Sequence, residues 1–383
     1  MGGAGAWHIG LHYPSEWAAV EAGAGFTETR RYARRDNAPE HEQRAWRIYD
    51  AVDYAANAFN VPMVGYGGEI DPQLQASRNI AEKLREEGLT DLRVLFLVGP
   101  QTPHRWHPDS RASSEQFIRS VLPRRTPDRI RFVTYTTRYN RIHRITIEGL
   151  DHHYERAEVD ARTEPAGLVV RTRNVSALRL PPGPATIDGQ SVAAGASFAR
   201  VDGKWVAARA SSGLRKRHGL QGPIDDAFLD SFLCVRPQKP HAAFDRFSKE
   251  FTKWMRGDVR VQDERAVTPA DLRDHHIVLF GDPSTSTLLA KVNARLPVRY
   301  QGNQIIVGDR KFDASNHSLA LIYPNPLNPD KYLVLNTGHT FHEAEFKGTN
   351  ALLYPRLGDY AVLDASGQVV LAGYFDESWR LTR

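Results

Sequence analysis

Cysteine is almost absent from this sequence of 383 residues, which contains only Cys234. A single cysteine cannot form a disulfide within the chain, and it says nothing about an oxidising compartment. Because Cys234 lies in the apolar run FLCV, we expect a small buried side chain rather than a reactive thiol. Long apolar runs are absent as well, since none approaches the roughly 18 residues of a transmembrane helix, and we expect no membrane partner.

An excess of one sign of charge is also missing, because 50 Lys and Arg residues are set against 45 Asp and Glu residues. The net charge of +5 is spread along the chain, with basic and acidic residues interleaved over most of its length. The dense basic runs at 30–35 and 214–219 lack the interleaved aromatic side chains that single-strand nucleic-acid binders use. We therefore predict a solvated surface and no nucleic-acid partner.

The overall composition of the sequence, 41% hydrophobic and 25% charged, is that of an ordinary globular protein. At about 150 residues per domain, the length predicts two or three domains. Helical and strand patterns alternate over residues 1–125 and again over 237–383, whereas residues 126–236 hold short alternating runs broken by Gly, Pro and Asn. We predict an α/β fold class in three parts, with a β-rich segment between two α/β regions.

The first part has the pattern of a parallel sheet. A helix opens at Gly2, an apolar stretch of small residues covers 17–26, further helices are predicted at 44–59, 72–88 and about 112–122, and strands at 61–67 and 93–99. Buried strands that alternate with helices are typical of a parallel sheet covered on both faces. About three strands are visible, which is few for a sheet of this kind.

Ionisable residues follow the two predicted strands of this part. Asp71 comes just past strand 61–67 and His104 just past strand 93–99. Open parallel sheets bind their ligands beyond the carboxyl ends of the strands. An acid followed by a histidine is also the order of the α/β-hydrolase triad, whose serine comes earlier, in G-x-S-x-G at a strand-to-helix turn. The pattern predicts an acid–base pair for serine chemistry.

The opening residues MGGAGAW carry a family resemblance. Met1, Gly2 and Gly3 match the last three positions of G-x-S-M-G-G, and the segment resembles the nucleophile elbow of the prolyl-oligopeptidase family and related serine hydrolases. Residues 61–75 resemble the acid turn of that family and residues 97–108 its histidine loop. The matches cover about residues 1–123, and the order of the segments is similar to large bacterial proteins described as prolyl-oligopeptidase-like peptidases.

The resemblance implies that residues 1–125 are the C-terminal half of an α/β-hydrolase domain, and that the nucleophilic serine belongs immediately before Met1. It further implies that His104 takes the proton of this serine and that Asp71 orients His104. The backbone nitrogen of Met1 would donate a hydrogen bond to the oxyanion. We expect the chain as written to be truncated at its N-terminus and inactive alone, with another chain able to cover its exposed sheet. The implied substrate is a peptide or an ester.

Three assignments stay open at this point. His107 lies three residues after His104 and is an alternative base. Asp71 precedes a proline, so it is also a good helix cap. Glu69 either orients the loop or faces water.

The rest of the chain offers weaker signals. The motif FGDPSTST at 280–287 has the hydroxyls and amides of an anion site without the spacing of a P-loop, and 336–346 is rich in His and Glu without a metalloprotease pattern. We predict no cofactor and no metal site. The alternative function is a non-catalytic binding or scaffold protein that acts through residues 126–383. The compartment stays open: the N-terminus as written favours the cytoplasm, and a longer protein could carry an export signal.

Overall fold

The structure is a computed structural model that describes residues 1–89, 92–122, 127–193, 196–208, 213–239, 241–336 and 357–382. With 29% helix and 35% strand, it belongs to the mixed α/β class. Its residue contacts divide the chain into two compact units, Met1–Ala38 with Trp46–Ser211 and Pro39–Ala45 with Ser212–Arg383. The three-part division at residues 125 and 236 stays a prediction.

Unit 1 begins with a small parallel sheet in the order β1-β2-β3. Its strands are β1 (Val20–Gly23), β2 (Met63–Gly68) and β3 (Val94–Gly99). The helices of this region are α1 (Gly2–His12), α2 (Thr29–Tyr32), the second half of α3 (Glu40–Tyr49), α4 (Gln75–Glu86) and α5 (Pro108–Val121), with 3-10 helices at Ala51–Phe59 and Pro72–Leu74. The first half of α3, up to Ala45, belongs to unit 2. All six residues of β2 are buried, as expected for a central strand covered on both faces.

Glycines allow α1 to pack closely on this sheet. A Cβ on Gly65 of β2 would lie 2.8 Å from the indole of Trp7, and one on Gly10 would lie 2.7 Å from Val20. Trp7 is fully buried at this crossing. Among the described residues β1 and β3 form the two edges of the sheet, and Phe96 of β3 is exposed over 36% of its surface.

Residues 129–207 form two five-stranded sheets around one core. The first has the order β11-β10-β8-β7-β4 and the second β13-β12-β9-β6-β5. The strands are β4 (Arg129–Thr134), β5 (Arg141–Ile142), β6 (Ile145–Leu150), β7 (Ala157–Glu164), β8 (Gly167–Arg173), β9 (Val175–Arg179), β10 (Ala185–Ile187), β11 (Gln190–Val192), β12 (Ser197–Val201) and β13 (Lys204–Ala207), with a 3-10 helix at Thr137–Tyr139. Alternate side chains of both sheets, among them Phe132 and Phe198, fill the shared core.

Unit 2 is built on a seven-stranded sheet in the order β15-β14-β16-β21-β20-β22-β23. Its elements are β14 (Phe232–Arg236), α6 (Ala242–Met255), β15 (Val261–Asp263), α7 (Pro269–Asp274), β16 (His276–Leu279), α8 (Thr287–Asn293), β17 (Val298–Gln301), β18 (Gln304–Val307), β19 (Arg310–Asp313), β20 (His317–Asn325), β21 (Asn328–Asn336), β22 (Tyr360–Asp364) and β23 (Val369–Gly373), with 3-10 helices at Ile224–Phe228 and Glu264–Ala266. The strands β15, β14, β16 and β21 are parallel, and β20, β22 and β23 are antiparallel to their neighbours. The strands β17, β18 and β19 form a separate antiparallel sheet.

A fully buried ion pair lies inside unit 2. The Nζ of Lys216 is 2.6 Å from Oδ2 of Asp359, and both side chains are 0% exposed. The same Oδ2 accepts a hydrogen bond from the backbone nitrogen of Phe375, and the Lys216 ammonium lies 5.1 Å from the ring centroid of Trp379. The pair therefore ties the start of the unit to its last elements.

No helix within the described ranges is both long enough and apolar enough to cross a membrane.

Candidate functional site

The carboxylate of Asp71 uses its two oxygens for different partners. Its Oδ1 accepts the backbone N–H of Gln73 at 2.9 Å and so caps the 3-10 helix Pro72–Leu74. Its Oδ2 lies 2.8 Å from Nδ1 of His104. The helix-cap interpretation of Asp71 and its pairing with a histidine are therefore compatible in one side chain.

His104 and Asp71 differ sharply in their exposure. The side chain of Asp71 is 4% exposed, whereas that of His104 is 68% exposed. An ionised carboxylate only accepts hydrogen bonds, so the network assigns the proton of the neutral imidazole to Nδ1. The Nε2 atom then carries a lone pair, and within the described residues it makes no hydrogen bond. A buried acid thus holds an exposed base in one tautomer.

His107 makes no hydrogen bond or ion pair with Asp71, whose described side-chain partners are Gln73 and His104. It is the N-cap residue of α5, its backbone N–H donates to the Tyr66 hydroxyl at 2.8 Å, and its Nδ1 lies 4.0 Å from Asp109. The structure therefore brings Asp71 together with His104 and not with His107.

The hydroxyl of Tyr66, at the end of β2, fastens the loop that carries His104. It donates to the carbonyl oxygen of Arg105 at 2.7 Å and accepts the N–H of His107 at 2.8 Å. Sequence reasoning missed Tyr66, although an aromatic residue between glycines in a buried strand is a recognisable signal. The tyrosine fixes the loop on one side of the histidine.

Glu69 and Gly68 hold the same loop on the N-terminal side of His104. Glu69 Oε2 accepts the backbone N–H of Gln101 at 2.7 Å and its side-chain amide at 3.2 Å, so Glu69 orients the loop. A Cβ on Gly68 would lie 2.1 Å from the carbonyl oxygen of Thr102 and 2.4 Å from that of Pro103. The loops after β2 and β3 can pass this closely because residue 68 has no side chain.

The N-terminus of α1 lies near the same end of the sheet. Met1 is the N-cap residue of α1 and is 85% exposed. A Cβ on Gly3 would lie 1.9 Å from the carbonyl oxygen of Gly23, the last residue of β1. Gly25, in the turn that follows with φ +85°, donates its N–H to the Gln73 side chain at 2.9 Å. The start of α1 is thus connected through this turn to the loop of Asp71.

The amides of segment 280–287 are held by the chain's own carboxylates. Asp282 Oδ1 accepts the N–H and hydroxyl of Ser284, and Glu264 Oε1 accepts the Ser286 hydroxyl and the N–H of Leu288. Two carboxylates thus occupy donors that an anion at this segment would need. The segment 336–346 lies outside the described residues apart from its first residue.

No protein-family model matches this chain, and a search of curated proteins finds no match either.

Proposed function

We propose that residues 1–125 are the C-terminal half of a serine hydrolase of the prolyl-oligopeptidase type, with Asp71 as the acid and His104 as the base. The observation that carries the proposal is the 2.8 Å contact between the buried carboxylate and the exposed imidazole. The two residues follow adjacent parallel strands at the edge where open α/β sheets hold their active sites.

The order of elements supports the proposal. In an α/β-hydrolase, a helix follows the nucleophile, and the acid and the histidine come later, each after a strand. Here α1 precedes three consecutive parallel strands, the acid follows β2 and the histidine follows β3. The outer edge of β1, which has no partner strand among the described residues, is where the preceding strands of a complete hydrolase sheet would pair, and the rest of that domain or another chain would cover it.

The mechanism follows from these positions. A serine immediately before Met1 would stand at the N-terminus of α1, which a short turn connects to the Asp71 loop. Nε2 of His104 accepts the proton as the serine oxygen attacks the carbonyl carbon of a peptide or ester, and Asp71 stabilises the imidazolium. The backbone N–H of Met1 donates to the oxyanion. His104 then returns the proton to the leaving group, and water releases the acyl group by the same route.

The proposal is tested by reading the coding sequence upstream of Met1 in the same frame and expressing the chain with it. We expect that sequence to contain Gly-x-Ser directly before Met1, and a fluorophosphonate probe to label this serine. The chain that starts at Met1 stays unlabelled. Replacing Asp71 by Asn should lower turnover by about 10⁴-fold, because the amide favours the wrong tautomer of His104.

His104→Ala and His107→Ala form the matched pair. We expect labelling to be lost in the first variant and kept in the second, because of these two histidines only His104 makes a hydrogen bond with Asp71. A stop codon or an unrelated sequence before Met1 would contradict the proposal. Labelling of the short chain at a different serine would contradict it as well.

The second candidate function is a non-catalytic binding protein that acts through the later parts of the chain. The observation that favours it is a cavity of about 540 Å³ in unit 2, which lies apart from the acid–base pair in the sequence. Loss of ligand binding without any change in probe labelling, after a substitution in this cavity, would separate the two functions.

A further inference from the structure

The sheet of unit 2 changes its direction of winding between β14 and β16. From the end of β14 the chain passes through α6 to β15 on one side, whereas from the end of β16 it passes through α8 and the small sheet to β20 and β21 on the other side. At such a point the connections leave in opposite directions and open a crevice beyond the carboxyl ends of the two strands. Crevices of this kind are the usual ligand sites of open α/β sheets.

A cavity of about 540 Å³ lies at this crevice. His241 follows β14 and Asp282 follows β16, and both line it. The remaining wall comes from the small sheet and the residues around it, among them Tyr300, Asn303 and His317. The volume lies within the roughly 300–1,000 Å³ of small-molecule sites.

Asp282 presents one unused carboxylate oxygen. Its Oδ1 takes the hydrogen bonds from Ser284 and Thr285, whereas Oδ2 accepts none within the described part of the chain. Burial alone raises the pKa of Asp282, but the bonds from Ser284 and Thr285 outweigh it and hold the pKa below its usual value. The carboxylate is therefore ionised at neutral pH.

Two further acceptors line the cavity. The Nδ1 of His317 lies 2.9 Å from the carbonyl oxygen of Asp313, so it must donate, and Nε2 is left as an acceptor in the neutral ring. The amide nitrogen of Asn303 donates to Oδ1 of Asp313, which leaves the Asn303 oxygen as an acceptor. A ligand that complements these acceptors must carry hydrogen-bond donors.

The lining disfavours an anion. The described residues around the cavity include neither lysine nor arginine, and the nearby amides are occupied by Asp282 and Glu264. Ser284 and Ser318 also line the cavity. The Ser284 hydroxyl donates to Asp282 and is left as an acceptor, whereas the Ser318 hydroxyl can both donate and accept. A sugar hydroxyl matches both kinds of group, whereas an ammonium only donates.

We infer that the cavity at the β14–β16 crevice binds a neutral polyhydroxylated ligand of the size of a mono- or disaccharide. Asp282 Oδ2, His317 Nε2 and the Asn303 oxygen accept its hydroxyl protons, and the ring of Tyr300 offers an apolar surface to its C–H groups. This inference rests on the second candidate function, which it deepens by naming a ligand class for the same cavity in unit 2, and it is independent of the function proposed for Asp71 and His104.

The experiment is saturation-transfer NMR and calorimetry on the full chain with glucose, galactose, N-acetylglucosamine, maltose and cellobiose, and with inorganic phosphate and spermidine as comparison probes. The Asp282→Asn variant keeps Oδ1 for the loop and replaces Oδ2 by a donor. The Asp376→Asn variant is the matched control, because Asp376 Oδ1 makes the same type of loop bonds, to Ser378 and Arg380, and does not line the cavity.

We expect saturable binding of at least one sugar, weakened about tenfold or more by Asp282→Asn and unchanged by Asp376→Asn. Binding of no sugar would overturn the inference. Saturable binding of phosphate or spermidine alone, or sugar binding that Asp282→Asn leaves unchanged, would overturn it too.

Discussion

The indole of Trp106 stacks on the phenol ring of Tyr66, with 3.9 Å between the ring centroids and 11° between the planes. The same tyrosine binds the backbone on both sides of Trp106 through its hydroxyl. Ring and hydroxyl together hold the loop that follows β3, so the position of His104 depends on a side chain from the neighbouring strand.

Replacing Tyr66 by Phe should loosen this loop while keeping the ring stack. The N–H of His107 and the carbonyl of Arg105 each lose a partner, which should cost about 1–3 kcal/mol of unfolding free energy. Urea unfolding measures this cost, and the Nδ1–H proton resonance of His104 should broaden. Tyr32→Phe is the control, because its hydroxyl makes no hydrogen bond within the described residues; an equal loss in both variants would refute the assigned role.

Replacing Gly68 by Ala should separate the loops after β2 and β3. The added Cβ would lie 2.1 Å from a backbone oxygen, which cannot move without displacing the loop of His104. We expect the free energy of unfolding to fall by about 1–3 kcal/mol. We also expect the NMR resonance of the Nδ1–H proton of His104 to disappear, because its hydrogen bond to Asp71 is broken. Gly5→Ala is the matched control: a Cβ at position 5 of α1 meets nothing within 4 Å, so this change should be neutral or stabilising. An unchanged His104 resonance in the Gly68 variant would contradict the prediction.

His276 should make unit 2 sensitive to acid. Its Nδ1 accepts the backbone N–H of Tyr332 at 2.8 Å, and burial, with a smaller contribution from Lys331, lowers its pKa from 6.5 to about 4. Asp230, 3.8 Å from Nε2, opposes the shift in part. Since the folded pKa is depressed, the stabilisation is present above pH 6.5 and is lost as the pH falls towards 4, by roughly 3 kcal/mol.

Urea unfolding between pH 7 and pH 4 measures this dependence. In His276→Asn the amide oxygen can accept the same N–H, so we expect a folded variant with a smaller slope of stability against pH. The exposed His152, whose ring makes no hydrogen bond within the described residues, provides the control variant, His152→Asn, which should keep the slope. Equal slopes in all three proteins would show that His276 is not the responsible group.

Lys216→Met should be strongly destabilising. It leaves the carboxylate of Asp359 buried without its cation, which typically costs about 3–5 kcal/mol. The double variant Lys216→Met with Asp359→Asn should recover much of the loss, because the amide oxygen can still accept the N–H of Phe375. Arg217→Met is the matched control, since the neighbouring pair with Asp330 is exposed and such pairs contribute about 1 kcal/mol or less. A small effect of Lys216→Met in thermal unfolding would contradict the prediction.

Much of the secondary structure could be predicted from local patterns. The strand predicted at 93–99 is found at Val94–Gly99, and the helix predicted at 72–88 is found as the 3-10 helix Pro72–Leu74 followed by α4 (Gln75–Glu86). The helix predicted at 44–59 is instead α3 followed by a 3-10 helix, which starts after Asp50. Asp50 accepts hydrogen bonds from Thr29, so a contact distant in sequence sets that break. No periodicity within the segment could show it.

The candidate site also contains residues that local sequence patterns could predict and residues that they could not. Asp71 and His104 could be found from the sequence, because each follows a strongly apolar strand. The resemblance implied His104 as the base, but the residues alone left His107 open as an alternative, since the pairing depends on which imidazole the loop turns towards Asp71. Gly68 and Tyr66 set that turn through contacts between neighbouring strands, and such contacts leave no periodic pattern in either strand.

The buried pair of Lys216 and Asp359 also bears on how the protein is synthesised. The two residues are 143 positions apart, and the backbone nitrogen of Lys216 bonds to the carbonyl oxygen of Glu377. At about 5–20 residues per second, the ribosome makes Lys216 on the order of ten seconds before its partner. During translation the ammonium must therefore remain in water, and the unit can close around it only once the last residues have emerged. A nascent chain that ends before residue 359 lacks the carboxylate that pairs with Lys216, so unit 2 cannot bury this ammonium as it does in the full chain.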